Sequence, residues 1–449
     1  MKIIGLLWFD TEDFITPEAD DALYGLLKVL KGRNCPATFK MVAEKARMLQ
    51  RRGRTDVLDL LKEFEIGYHT EFHSAHPTIA EVCETTGFIE GRDRLFARES
   101  AGLRDVEIIT GKKSTCFGQP GNSWGSQMYP ALLKMGIQVY MDSHPIIDGG
   151  GRPFWYCGML NYLDIDLNSD HRMHLRPDGM RLVREKYAWW KKQHAHEDIS
   201  FLNIYYHPCE FSCTKFYDLN FARGANPGRD AWVPSPTRPP EEMAALIAQM
   251  GEFVDFLREQ EVELIVPPQL LALESGKKGE VPADVVRAWA AQAATGRVDA
   301  IVKDGYSISC VEGLSLVARM LLGKPLVPSF AYGPNAPAWS RVETYDANQL
   351  AGAVLSFFDT HGFYDQMPDN FMLGDVAVDP LHAAVALSRA LVLDEHPAHR
   401  LTHSFLEPAR RVNPDGDWSS WPIHTEDFTA YHILELARRQ MWTYKPAVF

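Results

Sequence analysis

The sequence predicts an α/β fold of barrel type followed by a mainly α-helical C-terminal domain. Three observations predict it. Apolar runs alternate with helically spaced stretches over roughly the first 270 residues, chemistry-bearing segments follow the predicted strands, and beyond residue 280 the pattern turns almost wholly helical. A chain of 449 residues exceeds one ordinary hydrophobic core, so two domains are expected, 1–275 and 280–449.

Residues 3–9 form an apolar run that reads as a buried strand. Helical spacing follows over 19–31 through Ala22, Leu23, Leu26, Leu27 and Leu30, and Gly32 and Pro36 stop it. Strands are then expected at 37–42, 65–68, 114–117, 137–141, 201–206 and 262–266. Helices are expected between them at 56–64, 92–103, 129–135 and 241–259. Strands alternating with helices favour a parallel sheet with crossover helices, and six or more such units suit a closed or nearly closed barrel. The Pro- and Gly-rich stretch 225–240 reads as a long loop over the site face. After a Ser, Gly and Lys run at 275–279, helices are expected at 282–293, 311–322, 347–358, 380–393 and 428–441, with no repeat that stands out.

Hydrophobic residues make up 46% of the chain, enough for a sizeable core, and the net charge of −13 argues against binding nucleic acid or an anionic membrane. A small-molecule or carbohydrate partner is expected instead. No segment reads as an integral membrane span. The apolar run at the N-terminus is too short for a secretory signal with its cleavage site, so a cytoplasmic location is expected. Seven scattered cysteines, with Cys209 and Cys213 the only close pair, read as packed reduced thiols. Self-association is left open.

Four segments carry chemistry, each just after a predicted strand, on the face where catalytic groups collect in an α/β barrel. Phe9-Asp10-Thr11-Glu12-Asp13 crowds three carboxylates, which suits either a divalent metal or a solvated, helix-capping loop. In His69-Thr70-Glu71-Phe72-His73, two histidines four apart can share one metal from one side of a helical turn, and His76 offers a third imidazole. Cys116-Phe117-Gly118-Gln119-Pro120-Gly121-Asn122-Ser123-Trp124 reads as a turn-forming loop with one aromatic. In Tyr205-Tyr206-His207-Pro208-Cys209-Glu210-Phe211 a histidine ends a strand, where its near-neutral titration suits a general acid.

In this order and spacing, over about residues 1–270, the segments resemble the polysaccharide deacetylase family, the NodB-homology domain of carbohydrate esterase family four. Ala37-Thr38-Phe39, Gly136-Ile137 and Tyr140-Met141-Asp142-Ser143 strengthen the resemblance. It implies a distorted (β/α)7 barrel and one divalent metal ion, Zn²⁺ by preference. The ligands it implies are His69, His73 and an acid, Glu12 or Asp13, with Asp10 as general base and His207 as general acid. Trp124, Asp142 and the loop Asn226–Trp232 are expected near substrate. Three residues depart from the family pattern. Thr11 separates the acids that are usually adjacent, Gly118 stands where an Arg orients the base, and Ser74 follows His73 in place of Pro.

The expected activity is metal-dependent hydrolysis of a C–N amide bond, as a de-N-acetylase of an N-acetylated sugar or glycan precursor. The alternatives are a cyclic or other non-sugar amide substrate, or a metal-binding relic with a regulatory role. No segment suggests the two-metal cluster of a phosphoesterase. In the C-terminal region, His361, His382, His396, His399, His403, His424 and His432 show no ligand spacing outside His396, His399 and His403, and those three, flanking Pro397, read as solvated. That domain is expected to cover the barrel mouth or form a dimer contact, and the aromatics between Phe330 and Trp339 could face substrate or barrel.

Overall fold

The fold is given by a computed structural model that describes residues 1–142, 146–162, 178–217, 231–336, 346–363, 365–394, 404–413, 423–425 and 427–449. The first part carries strands β1 (Lys2–Thr11), β2 (Thr38–Met41), β3 (Glu65–Tyr68), β4 (Ser114–Phe117), β5 (Val139–Met141), β6 (Phe154–Tyr156), β7 (Met159–Tyr162), β8 (Ile199–Tyr206) and β9 (Glu263–Ile265). Its helices are α1 (Glu18–Gly32), α2 (Ala43–Arg51), α3 (Thr55–Leu61), α4 (Ile79–Glu84), α5 (Phe88–Thr110), α6 (Met128–Lys134), α7 (Gly179–Gln193), α8 (Cys209–Ser212), α9 (Pro240–Glu259) and α10 (Pro267–Leu273).

The strands lie in the order β6-β7-β5-β4-β3-β2-β1-β8, parallel except for β6. β8 pairs with β1 from Lys2 to Phe9, while β9 and β2 share the opposite edge of β1, at Ile4–Leu6 and Trp8–Thr11. The sheet curls until β7 and β8 approach without a shared ladder. Asn203 bridges the gap, its amide donating to the Tyr162 carbonyl at 3.3 Å while its oxygen accepts from the Trp8 indole at 2.6 Å. This is an α/β barrel of the distorted kind, incompletely hydrogen-bonded, followed by a helical C-terminal part.

The pleat decides which face each residue meets. Ile3, Leu7 and Phe9 of β1 pack outward with Leu23, Leu26 and Leu30 of α1, while Ile4, Leu6 and Trp8 pack inward with Leu160, Tyr162 and Phe201. A strand buried on both faces reads as the continuous apolar run seen in the sequence. The same alternation carries Asp10 onto the inner face, one pleat beyond Trp8. On β2, Phe39 and Met41 pack outward, which turns Lys40 inward.

Helices α2, α4, α7, α8 and α10 and strands β6 and β7 have no counterpart in the sequence reading. The buried side of α2 consists of Ala43, Lys45, Ala46 and Leu49, too small and too charged to mark a stripe. Strands of three or four residues give periodicity no length to register.

The C-terminal part repeats one arrangement, helix, β-hairpin, helix. The first copy is Ala283–Ala293, Ile301–Lys303 with Tyr306–Ile308, then Cys310–Leu321. The second is Ala347–Thr360, Phe371–Leu373 with Val376–Val378, then Pro380–Leu393. Both hairpins turn through a glycine at positive φ, Gly305 and Gly374, and both second helices begin on a side-chain cap, Ser309 and Asp379. The hairpin strands are too short for the sequence to separate them from loops. The helices share a core around Trp289, Leu314, Leu350 and Val385.

The last segment packs with the barrel instead. Ile433, Leu434, Leu436 and Ala437 of helix Tyr431–Gln440 join the barrel's outer core, and the amides of His432 and Ile433 donate to Glu84 of α4, both at 3.0 Å. The strand Lys445–Pro446 extends the sheet antiparallel to β6. Ile423 packs among Phe14, Tyr217 and Trp232, beside the loops that follow β1 and β8. Among the described residues no helix is long and apolar enough to cross a membrane.

Candidate active site

Asp10 leaves β1 on its inner face, and Glu12 follows one pleat later; both are buried. His69 comes directly after β3, its amide donating to the Met41 carbonyl at 2.9 Å. The sequence reading placed His69 and His73 on one helical turn, but the segment is not helical. Thr70 and His73 sit at φ +71° and +58°, and the Thr70 hydroxyl accepts from the His73 amide at 3.0 Å. This tight left-handed turn, not an i,i+4 stagger, brings the imidazole centroids to 5.3 Å.

Both Nε2 atoms are aimed at one oxygen, Glu12 Oε2, at 3.0 Å from His69 and 2.8 Å from His73. The ligand atoms of Glu12, His69 and His73 lie within 4.8 Å of one another, and Glu12 Oε1 is buried without a hydrogen-bond partner. A carboxylate oxygen facing two imidazole nitrogens is repulsive unless a proton or a cation lies between them, so the donor set fits a divalent metal. The outer contacts support this. His69 Nδ1 lies 2.8 Å from the Gly118 carbonyl, which can only accept, so Nδ1 carries the proton and Nε2 faces the ligand cluster. His73 Nδ1 contacts the Ser74 hydroxyl.

The charges set the three residues apart in the metal-free site. Burial alone would push the Glu12 carboxyl up, but His73, His207 and His69 together hold it well below the usual carboxylate range. Burial pushes the His73 imidazole below its ordinary value despite Glu12, keeping it neutral. For His69, burial is outweighed by Asp10 and Glu12 and the value rises.

His207 stands just past β8, where its Nδ1 meets Glu210 Oε2 at 3.0 Å and its Nε2 faces Asp10 Oδ2 at 3.8 Å and Glu12 Oε1 at 4.0 Å. Aromatic rings surround the pair of histidines: Tyr205 and Phe216 lie 5.2 and 5.0 Å from His207, and Tyr217 lies 5.5 Å from His73.

Asp10, His69 and Asp142 form a second acid–histidine group, but an ammonium already fills it. Lys40 Nζ lies 3.0 Å from Asp10 Oδ1 and 3.2 Å from Asp142 Oδ2. The sequence reading overlooked Lys40 and quoted Glu210 without assigning it a role. The signal for Lys40 was a charge inside the otherwise strand-like run Ala37-Thr38-Phe39-Lys40-Met41.

Several expected site residues lie elsewhere. Asp13 is outside the ligand group: its Oδ1 accepts from the Ile15 and Thr16 amides, both at 2.9 Å, and so shapes the turn into α1. Trp124 is fully buried, donating to the Tyr129 hydroxyl at 3.2 Å and stacking on Tyr156, so it is core and cannot contact substrate. Asp142 is near the centre but is paired with Lys40. Trp232 packs on Phe14 at 5.5 Å, whereas 226–230 and Ser143 lie outside the described residues, as do His396, His399 and His403. His76 turns to Glu81 at 2.8 Å instead of to the ligands. His424 is buried beside Thr78 at 3.3 Å and is pushed down to about 4, chiefly by burial, so it is neutral.

Asp13 yields a test of its structural role. Burial raises its carboxyl against Lys45 and the Thr16 and Ile15 amides. A folded value above the unfolded one means that ionisation opposes folding, so the contribution to stability is present at low pH and lost as pH rises through the folded value. In the metal-free protein Asp13→Asn should therefore melt above wild type at neutral pH. The difference should close towards the ordinary Asp value of 3.8. Loss of metal binding in this variant would return Asp13 to the ligand set.

Solved structures that resemble the chain include a 4-α-glucanotransferase from Thermococcus litoralis, 14% identical, covering 66% of this chain and 45% of that one, with a TM-score of 0.41. A CE4 family pseudoenzyme from Bacillus anthracis is 12% identical over 60% of this chain and 66% of that one, with a TM-score of 0.32. A family 4 carbohydrate esterase from Streptomyces lividans in complex with acetate is 11% identical over 59% of this chain and 94% of that one, with a TM-score of 0.33. The chain thus spans less than half the length of the glucanotransferase. No family model matches the sequence, and no curated protein does.

Proposed function

We propose that the chain is a metal-dependent hydrolase of C–N amide bonds that removes an acetyl group from an N-acetylated sugar or glycan precursor. The observation that carries this reading is the convergence of Glu12, His69 and His73 on one point, with Asp10 and His207 beside it on the same barrel face. A divalent ion such as Zn²⁺ held by these three ligands would polarise the amide carbonyl and acidify a water.

The chain's own residues supply the proton transfers. Asp10 is the base that takes the proton of the attacking water. His207 is the acid that protonates the leaving nitrogen. Its Nδ1 is held by Glu210 at 3.0 Å, so that the imidazole presents Nε2 to the site. The half-buried rings of Phe216 and Tyr205, beside His207, offer apolar faces of the kind that pack against a sugar ring.

The test is metal content by elemental analysis, paired with acetate release from a panel of N-acetyl sugars, with His69→Ala as control. Bound metal with release that the variant loses is the expected result. Bound metal without release would move the assignment to a cyclic amide or to a relic binding site. A wild-type protein that takes up no metal, even with added Zn²⁺, would end it.

A further inference from the structure

We infer that Lys40 is the positioning residue for the base, and that the glycine at 118 exists to admit it. The inference rests on the amide-hydrolase reading above.

Asp10 and Lys40 are register partners across the parallel β1–β2 pair, and both face the barrel interior. The Lys40 ammonium is fully buried and enclosed on four sides. Asp10 Oδ1 lies at 3.0 Å, Asp142 Oδ2 at 3.2 Å, the Met141 carbonyl at 3.0 Å, and the face of the Trp8 ring at 3.6 Å. A lysine stem carries free rotors, but this one is fixed by contacts from β1 and from the end of β5. Two carboxylates share one cation, so neither can turn away without stranding a buried charge.

The consequence for Asp10 is a division of labour between its oxygens. Oδ1 is committed to Lys40. Oδ2 is the oxygen turned towards His207, and it is the one placed to accept a proton. Lys40 thereby fixes which oxygen is the base and where it points.

Gly118 makes the arrangement possible. A Cβ built there would lie 1.9 Å from Lys40 Nζ, 2.5 Å from Asp142 Oδ2 and 2.7 Å from the Met141 carbonyl oxygen, so a side chain at 118 displaces the ammonium and also requires the end of β5 to give. Its carbonyl meanwhile accepts from His69 Nδ1 at 2.8 Å. The one residue orients a metal ligand with its backbone and houses the cation with its missing side chain. The cation is therefore delivered from β2, into the volume a side chain on the β4 loop would need.

The experiment relocates the charge. Lys40→Met keeps the stem and removes the charge. It should lower kcat about 100-fold with KM within about threefold, on the N-acetyl sugar that wild type turns over. By calorimetric titration, its Zn²⁺ affinity should be no weaker than that of wild type. Gly118→Arg alone should be as damaged as Lys40→Met, because the two cations compete for one space. Lys40→Ala/Gly118→Arg should recover to within about tenfold of wild type, and Lys40→Ala/Gly118→Met, equally filled but neutral, should not. A Lys40→Met kcat within about threefold of wild type would overturn the inference. So would equal activity of the two double variants, or loss of Zn²⁺ together with activity, since each makes Lys40 a packing or metal-site residue. A wild type that binds Zn²⁺ yet hydrolyses no amide would instead overturn the hydrolase reading, and this inference with it.

Discussion

Alanine at position 73 is expected to lower metal affinity by at least about a hundredfold, because loss of an outer-shell partner alone costs 10- to 100-fold and the proposal makes His73 a direct ligand. The metal-free protein should keep its melting temperature within a few degrees, apart from a local cost. His73 sits at φ +58°, where Ala is disfavoured and Asn is tolerated. His73→Asn separates the two effects, since it keeps the turn and removes the ligand. Stoichiometric metal in either variant would refute the assignment. The same site predicts a proton count. Against burial, Asp10 and Glu12 raise His69 above its ordinary 6.5 in the metal-free state, which favours a proton on the Nε2 that faces Glu12. Metal binding must displace that proton, and affinity must rise with pH until His69 is neutral. His73, pushed below 6.5, contributes no proton there. Titration of Zn²⁺ into the metal-free protein in buffers of different ionisation enthalpy measures the release. No release at pH 6.5 would show that His69 is already neutral.

What the sequence made legible was what a local pattern can carry. β1 and α1 are each buried along one continuous signal, a run or a stripe, and both stand where that signal lies. Glu12, His69, His73 and His207 could be named as candidates because short segments after strands mark one end of a barrel. The choice between Glu12 and Asp13 was not legible. The carboxylates are adjacent, and only the turn geometry that commits Asp13 to the Ile15 and Thr16 amides separates them. Trp124 shows the opposite failure, since an aromatic in a Gly-rich loop looks exposed until the loop folds back onto Tyr129.

Lys40 was hidden for a different reason. Its meaning depends on the β1–β2 register, which sets Asp10 opposite Lys40, and on an empty Cβ position 78 residues further along the chain at Gly118. Neither relation is local. Read by itself, Gly118 looked like the loss of a positive charge; with Lys40 in view it is the space that charge occupies. The C-terminal part behaved likewise. Its helices were legible from their stripes, but their pairing into two helix–hairpin–helix copies depends on strands of three residues that no window detects.

The proposed base, Asp10, provides the remaining large effect. Asp10→Asn should reduce kcat by about 10²- to 10⁴-fold, the range expected for loss of a positioned base. Metal content should be unchanged, because Asp10 Oδ1 is committed to Lys40 at 3.0 Å and Asp10 is outside the Glu12, His69 and His73 ligand group. The substitution is nearly isosteric, and Lys40 determines how it sits. An ammonium attracts the carbonyl oxygen of asparagine and repels its NH2, so the oxygen takes the place of Oδ1. The NH2 is then left where Oδ2 faced His207, 3.8 Å away in the native protein. A group that can only donate now occupies the place where a proton must be accepted. Asp10→Ser should be as inactive, but without the enforced donor. Substrate affinity should move little in either, so the defect belongs to kcat. Retained turnover in Asp10→Asn would remove Asp10 from the chemistry and shift the base role to another group. Lost metal in the same variant would place Asp10 among the ligands. The two results are read separately, one by acetate release and the other by elemental analysis of the same sample, so each failure points to a different error in the site.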